Sequence, residues 1–519
     1  MLVLFADKTK GDKMLLHHRF IETAKANLKK IAVYDQATEK DLTYERMLIA
    51  SLILTKKFKK YTGQYLGIMV PTSAGCMLST IGALMAGKIP VMINYSTGAA
   101  ENAKFAQEKC SFRTIITSKK LLEKINVKPI KGMVFLEDIM PTITLFNKLA
   151  AAFKAKTSVN SIVNSVSKGS KEDVAAILFT SGSEKEPKAV QLSHKNILHN
   201  VDNIPELLNC IPEDIYLGNL PLFHVFGLTV NFWHPLIMGA SIVAYPNPLD
   251  YKIIGRLVKH YKITVMAGTP AFYYGYYKKS KPGDYASLRA AVSGADKLTQ
   301  HIYDAFYKKH NVKILEGYGT TETSPAISMN RIDKHKVGSI GLPLRGVQVK
   351  ITDRETGETL PANTEGKILV KGDLVMKGYL GDLEETSLRI RNGWYDTGDM
   401  GIIDEDGFMW HRGRLKRFVK VGGEMVSLVR VESVLETLLP QDTLCCVVDV
   451  PNPSKGAEIV AAIATSEIDK RRIIKEMAKH LPAIAVPKVI HIMDEIPLMG
   501  TGKVNFREVE RICRNLQSE

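Results

Sequence analysis

Nine short apolar runs punctuate the first 300 residues: YLGIMV, KIPVMIN, FRTIITS, KGMVFLE, VAAILFT, IYLGNL, ASIVAY, ITVMAG and LRAAVSG. Each is strand-sized. Between several of them lie segments with helical spacing, such as SLRAAVSGADKLTQHIYDAFYKKH. Strands that alternate with helices predict an α/β architecture of layered, mostly parallel sheets. After about residue 345 the texture changes: VQVKITDRETGETLPANTEGKILVKG alternates and is rich in turn residues, which predicts a small β subdomain over about 340–413. The stretch HRGRLKRFVKVGGEMVS at 411–427 is dense in glycine and charge and reads as a linker. Beyond it VESVLETLL, TLCCVVDV, EIVAAIAT, IIKEMAKHL and KVIHIMDEI are enough for a small α+β domain. The expected division is a large N-terminal domain, 1–413, and a small mobile C-terminal domain, 414–519.

Two long uncharged stretches bear on membrane insertion. In residues 63–87, Pro71, Thr72 and Ser73 interrupt the apolar run, which predicts strand, turn, helix cap and helix. Residues 215–249 lack Asp, Glu, Lys and Arg, but prolines at 221, 235, 246 and 248 argue against one spanning helix. A buried wall around an apolar ligand is expected there instead. Residues 154–173 are polar and serine-rich and read as a surface connection before the strand VAAILF. No basic residue precedes the short apolar run at the N-terminus, a poor match to a secretory leader. The expected location is cytoplasmic, with peripheral attachment to the inner face of the membrane as a further option.

Lys and Arg exceed Asp and Glu by 70 − 54 = 16. That excess favours an anionic partner. The lysines are scattered rather than blocked, so nucleic acid is not the expected one. None of the six cysteines forms a CxxC pair, which points to free thiols.

The loop TSGSEKEPK at 180–188 follows a strand and carries hydroxyls, a glycine and lysines. It lacks the Walker pattern, and alone it reads as a polar surface turn. Four other segments follow in order: EGYGTTETSP at 316–325, GWYDTGD at 393–399, RGRLKRFVK at 412–420 and PLMGTGK at 497–503. This ordered set resembles the adenylate-forming superfamily of acyl-CoA synthetases, firefly luciferase and peptide-synthetase adenylation domains. Within it, TSGSE, PLFHVFGLT, EGYGTTE and GRLKRFVKVGGEMVSL look like the bacterial acyl-acyl-carrier-protein synthetases, specifically the synthetase half of the bifunctional 2-acylglycerophosphoethanolamine acyltransferase/acyl-ACP synthetase. No histidine is followed by Asp five residues on, so the acyltransferase motif of that relative is missing and a stand-alone synthetase is expected.

The resemblance implies a fatty-acid ligase that uses ATP and Mg²⁺. A carboxylate attacks the α-phosphate to give acyl-AMP, and a carrier-protein thiol then displaces AMP. The alternative acceptor is CoA. An amino-acid-activating domain and a non-catalytic acyl-binding protein are the other readings. Neither fits as well: no acidic anchor for an α-amine appears near residues 224–233, and Glu322, Asp399, Arg414 and Lys503 are all retained.

By resemblance, Thr180, Ser181, Gly182, Ser183 and Lys188 handle the β- and γ-phosphates, although Lys185 and Ala189 stand where glycines are common. Tyr318 stacks on adenine against Ser293, Gly294 and Ala295, with Gly319 and Thr320 completing that wall. Thr321 contacts the α-phosphate and Glu322 holds Mg²⁺. Asp399 binds the ribose, assisted by Arg414. Lys503 bridges carboxylate and α-phosphate, and Lys416 is the hinge. His224 gates an acyl pocket lined by Phe223, Phe226, Gly227 and Trp233. Lys420, Gly422 and Gly423 face the acceptor. Arg412, Lys416, Arg417 and Lys420 are expected to form a basic cluster where an acidic carrier protein would dock.

Overall fold

The computed structural model describes residues 14–180, 186–414, 417–421, 424–440, 443–452, 456–465, 468–499 and 503–518. The chain folds into two compact units, one of residues up to Gln348 together with Lys371–Tyr395, the other of Val349–Val370 together with Asp396–Glu519.

In the first unit all nine apolar runs are strands, divided between two sheets. Nine strands form one sheet in the order Leu342–Pro343, Ala326–Met329, Ile314–Gly319, Ala290–Ser293, Val265–Gly268, Ile215–Gly218, Ser241–Ala244, Ile31–Asp35 and Lys40–Thr43. Its six central strands run parallel and its edges are antiparallel. The second sheet has the order Gly378–Tyr379, Ala189–Ser193, Val174–Phe179, Ile89–Met92, Tyr65–Met69, Ile115–Thr117 and Met133–Phe135. Its interior strands are buried, as expected when helices cover both faces of a parallel sheet.

The uncharged segment 63–87 follows its expected course. The strand Tyr65–Met69 is followed by Ser73, whose hydroxyl accepts from the Cys76 N–H and caps the helix Ala74–Met85. Residues 215–249 hold two strands with a π-helical segment, Gly227–Trp233, and a short helix, His234–Met238, between them. Among the described residues no helix is long and apolar enough to cross a membrane.

The serine-rich stretch 154–173 differs from its reading as a surface connection. The helix Leu145–Lys156 runs into it and a second helix, Val159–Val163, follows. Ser158 caps that second helix by accepting from the Ser161 N–H, and Ile162 and Val166 are buried. A serine that looks like a loop former is equally a cap, and only the packing of its neighbours decides which.

In the second unit the strands Gln348–Thr352, Gly366–Lys371, Trp394–Ile403 and Met409–Arg414 are sheet neighbours in that order. A hairpin, Phe418–Val421 with Glu424–Ser427, leads into the helix Leu428–Leu438. Three further strands, Cys445–Asn452, Gly456–Ala464 and Val489–Met493, form a mixed sheet. The central strand of that sheet is buried on both faces. Ile459, Ala461 and Ile463 join Val431, Leu435 and Met477 on one side, while Val460 and Ala462 join Cys446, Val509 and Cys513 on the other.

Candidate active site

In the first unit the site residues collect at the carboxyl ends of neighbouring parallel strands. Ser293 ends the strand Ala290–Ser293 and lies in register with Glu316 on the next strand, Ile314–Gly319. Gly294 and Ala295 therefore continue beside Gly317, Tyr318 and Gly319. Carboxyl ends of parallel strands are where open α/β sheets bind ligands.

Several local features suit this end of the sheet to a nucleotide. Ser293 Oγ is buried with no hydrogen-bond partner, a donor available to a ligand. The Phe226 ring lies 3.5 Å from the point where a Cβ on Gly294 would stand, an ordinary van der Waals contact that sets the aromatic ring beside this turn. Gly319 is sterically required, because a Cβ there would come within 1.8 Å of the Pro325 carbonyl oxygen. Beyond Gly319 the chain turns sharply. Thr320 and Thr323 cap each other reciprocally around the single turn Thr321–Thr323, which presents Thr321 and Glu322.

Glu322 is buried, and its Oε1 accepts a hydrogen bond of 2.9 Å from the Tyr379 hydroxyl. Burial, and then the adjacent Glu322 charge, hold the Tyr379 and Tyr395 phenols well above the ordinary tyrosine value, so both are fixed as protonated groups. Lys188 joins the same cluster. Its ammonium is ion-paired with Glu385 and stands 5.2 Å from the Tyr379 ring centre. Burial pulls the Glu385 pKa upward, but the hydrogen bonds and charges of Lys188 and Arg389 outweigh it and the net shift is downward. Lys188 and Thr180 are also bonded to each other. The Lys188 N–H donates to Thr180 Oγ1 and the Thr180 N–H to the Lys188 carbonyl, both at 3.0 Å.

The apolar wall adjoins this centre. His224 Nδ1 accepts the Phe226 N–H at 3.3 Å, which assigns the proton of a neutral imidazole to Nε2. The π-helical segment begins at Gly227 and is tied to the Glu322 turn by Thr229 Oγ1, which donates to the Ser324 carbonyl at 2.9 Å. Single π-turns recur at functional sites. Phe223 and Trp233 pack in one hydrophobic core and Phe226 in another. Trp233 is wholly enclosed, its ring 4.4 Å from that of Phe232.

The second unit holds the remaining candidates. Asp399 and Arg414 face each other in antiparallel register, with Arg414 Nε 3.2 Å from the buried Asp399 carboxylate. The turn before Asp399 is held by its own side chains. Gly398 N–H donates to Asp396 Oδ1 and Asp399 N–H to Thr397 Oγ1. Beside Lys503, the Met499 N–H donates to the Lys503 carbonyl and the Asn505 N–H to the Pro497 carbonyl. Lys420 is exposed on the hairpin strand Phe418–Val421, opposite Met425. Ser181, Gly182, Ser183, Lys185, Lys416, Gly422 and Gly423 lie outside the described residues.

One expectation is corrected here. Arg417 does not contribute to a basic docking cluster. Its guanidinium is turned into the unit, donating to Glu432 at 2.8 Å and to the Val447 carbonyl at 3.0 Å, and lying 3.9 Å from the Phe506 ring centre. A planar cation that can pair on its edge and stack on its face is suited to such a partly enclosed niche.

The sequence profile of the AMP-binding enzyme family matches residues 20–380, and that of the AMP-binding enzyme C-terminal domain matches residues 430–503. The chain belongs to this family. It is an adenylate-forming enzyme of the acid–thiol ligase type. Among curated relatives, a long-chain-fatty-acid–CoA ligase of Bacillus subtilis is 28% identical over 90% of this chain and 89% of its own. A 4-coumarate–CoA ligase of Nicotiana tabacum is 30% identical over 84% and 82%. Among solved structures, ATP-bound MatB from Rhodopseudomonas palustris superposes with a TM-score of 0.82 at 22% identity, covering 97% of this chain and 100% of that one. The anthranilate CoA ligase AuaEII with anthranoyl-AMP gives 0.81 at 22% identity, covering 97% and 98%. At such identities the structural likeness speaks for the fold alone.

For an AMP-binding enzyme, the residues that sequence reasoning missed are Tyr379, Glu385, Arg389 and Tyr395. They carry no motif of their own. Tyr379 reaches the site because the two-residue strand Gly378–Tyr379 pairs with Ala189–Ser193, next to Lys188. The expected divalent cation would need oxygen ligands. Among the described residues no cluster of three His, Cys, Asp or Glu is placed to hold a metal. A lone buried carboxylate, with phosphate oxygens supplying the rest of the shell, nonetheless fits a small hard cation such as Mg²⁺.

Proposed function

We propose that this AMP-binding enzyme is a fatty acid–CoA ligase. A carboxylate oxygen attacks the α-phosphorus of ATP and pyrophosphate leaves. The CoA sulfur then attacks the acyl carbon, AMP leaves and the thiol proton passes to solvent. The observation that carries the reading is the cluster of Lys188, Tyr379 and Glu322, set beside the Ser293–Ala295 turn and the uncharged wall.

In this reading Lys188 leaves Glu385 for the β- and γ-phosphates, together with Thr180, Ser181, Gly182 and Ser183. Tyr318, Ser293, Gly294 and Ala295 enclose the adenine, with Gly319 and Thr320 shaping the turn that leads to Thr321. Glu322 holds Mg²⁺, which neutralises phosphate charge when bound, and Tyr379 keeps the Glu322 carboxylate aimed. Asp399 accepts from the ribose hydroxyls with Arg414 behind it. Lys503 brings one positive charge to the carboxylate and the α-phosphate, the kind of preorganised charge that lowers such barriers most. His224 donates from Nε2 at the mouth of the acid pocket. Phe223, Phe226 and Gly227 line that pocket, with Trp233 buttressing them from the core. The small domain turns at Lys416 between half-reactions and presents Lys420, Gly422 and Gly423 to the acceptor. These few positions absorb the change in backbone angles.

CoA is preferred to a carrier protein on two grounds. The curated relatives that span the chain bear CoA ligase names. Arg417, one of the cations expected where a carrier protein would dock, is engaged inside its own unit. A fatty acid fits the length of uncharged wall at 215–249 and the Bacillus subtilis relative. The deciding experiment is acid-dependent pyrophosphate release with ATP and Mg²⁺, followed by product identification with CoA and with holo-carrier protein in parallel. Thioester on CoA bears the reading out. Thioester on carrier protein alone restores the acceptor suggested by the GRLKRFVKVGGEMVSL stretch. Absence of pyrophosphate release with any aliphatic acid overturns the substrate class.

A further inference from the structure

One helix of the first unit has an apolar face that nothing covers. The helix Leu145–Lys156 buries only small residues, Ala151 and Ala155, against its neighbours. Its large apolar side chains point the other way: Leu145 is 71% exposed, Phe146 76%, Leu149 61% and Phe153 75%, with Met140 just before the helix at 64%. Positions 145, 149 and 153 are four apart and 146 lies beside them, so they form one stripe along the helix. Two outward phenylalanines and two leucines on a single 12-residue helix are not the scattered apolar residues of an ordinary surface.

Along the chain, the charge flanking this stripe has one sign. No acidic residue occurs between Asp138 and Glu172, whereas Lys148, Lys154, Lys156, Lys168 and Lys171 do. Lys148 and Lys156 are exposed, while Lys154 is held at Ser161. The neighbouring helix Tyr44–Phe58 adds to this. Its Lys57 donates to Thr142 at the start of the segment, which brings the exposed Lys56, Lys59 and Lys60 of that chain end to the same edge. The acid of that helix, Glu45, lies in its first turn at the far end. The nearest acids in sequence are engaged: Asp138 pairs with Lys119, and Glu137 accepts from Ser118.

We propose that the Leu145–Lys156 helix docks the enzyme on an anionic lipid surface. Phe146, Leu149 and Phe153 enter the headgroup–acyl boundary, and Lys148, Lys156 and the lysines at the end of the neighbouring helix meet the phosphates. An apolar stripe with a lysine rim is the composition that lies in a bilayer interface, where burial and charge attraction add. A protein partner would have to match both the exposed lysines and the apolar strip beside them, whereas an anionic bilayer offers both at once. The inference does not depend on which acid or thiol the enzyme uses.

The test is flotation of the full chain with phosphatidylcholine vesicles, with and without phosphatidylglycerol. Binding to the anionic vesicles alone is expected, weakening as salt screens the lysines. The double variant Phe146→Gln, Phe153→Gln should lower vesicle affinity by more than about tenfold, and Lys148→Glu, Lys156→Glu should abolish the preference for anionic lipid. Both variants should keep pyrophosphate release with a short, water-soluble acid within about twofold of the parent, because surface substitutions away from the site leave the fold unchanged. The proposal is overturned if the parent chain does not float with anionic vesicles, or if both variants float as it does. It is equally overturned if light scattering finds a dimer that the phenylalanine variant converts to monomer, since a second copy would then be what covers the stripe.

Discussion

Tyr379 shows how much of this site rests on single hydrogen bonds. Its hydroxyl donates to Glu322 at 2.9 Å and its backbone N–H donates to Thr386 Oγ1 at the same distance, so the ring is held at both ends. A hydrogen bond to a charged group contributes roughly 1.5–3 kcal/mol. Tyr379→Phe keeps the ring and removes the donor. It should lower kcat for pyrophosphate release by about tenfold or more while leaving thermal stability near that of the parent. A variant with unchanged kcat would mean that the carboxylate is aimed by something else. Glu316 offers a second test at this scale, on stability rather than rate. Burial raises its carboxyl pKa to about 7, against backbone hydrogen bonds that pull the other way. An acid whose folded pKa is raised binds its proton more tightly when folded, so stability falls as pH rises from its ordinary value through the folded one. The parent should therefore lose about 3 kcal/mol more than Glu316→Gln between pH 4.5 and pH 8, measured by urea unfolding at both ends. Parallel pH profiles would place the titration elsewhere.

At the scale of elements, the hairpin Phe418–Val421 with Glu424–Ser427 and the helix Phe506–Ser518 are stitched together by Arg417. The arginine leaves the hairpin, stacks on Phe506 at the start of the last helix and pairs with Glu432 of the helix between them. Glu432 also accepts the Val447 N–H at 2.8 Å, so losing Arg417 leaves a partly buried carboxylate with one partner fewer. Breaking such a pair from one side costs about 3 kcal/mol or more. Arg417→Ala should lower the unfolding midpoint of the protein, and the KM for the thiol acceptor should stay close to the parent value. The reverse pattern, intact stability with a raised acceptor KM, would return Arg417 to a docking role.

For the molecule as a whole, the proposed chemistry divides its residues between two compact units. Tyr318, Glu322 and Lys188 lie in the first, while Asp399, Arg414 and Lys503 lie in the second. The half-reactions should therefore separate under mutation. Lys503→Ala should reduce acyl-AMP formation by about a hundredfold or more yet still convert supplied acyl-AMP to thioester. Lys416→Pro, by fixing a backbone angle at the proposed hinge, should spare adenylation and stop thioester formation. Equal loss of both steps in either variant would sink the division of labour.

The strands, their largely parallel pairing and the family were legible in the sequence, because apolar periodicity and short motifs are local and survive without neighbours. EGYGTTE marks itself: Gly319 is required by one carbonyl a few residues away, and Thr320 and Thr323 cap each other within the same turn. What pairs with what across the chain was not legible. Glu385 meets Lys188 from 197 positions away, and Tyr379 meets Glu322 across 57. Arg417 looked like one more solvent-facing cation until packing turned it onto Phe506. The outward stripe of Leu145–Lys156 was hidden because the same apolar letters, in another setting, would have been core. Composition and pattern determine which segments can be strands, helices and ligand-binding turns, since those choices depend on neighbours in sequence. Which charges become partners, and which apolar face is left open to solvent, depends on neighbours in space and was decided only by the tertiary structure.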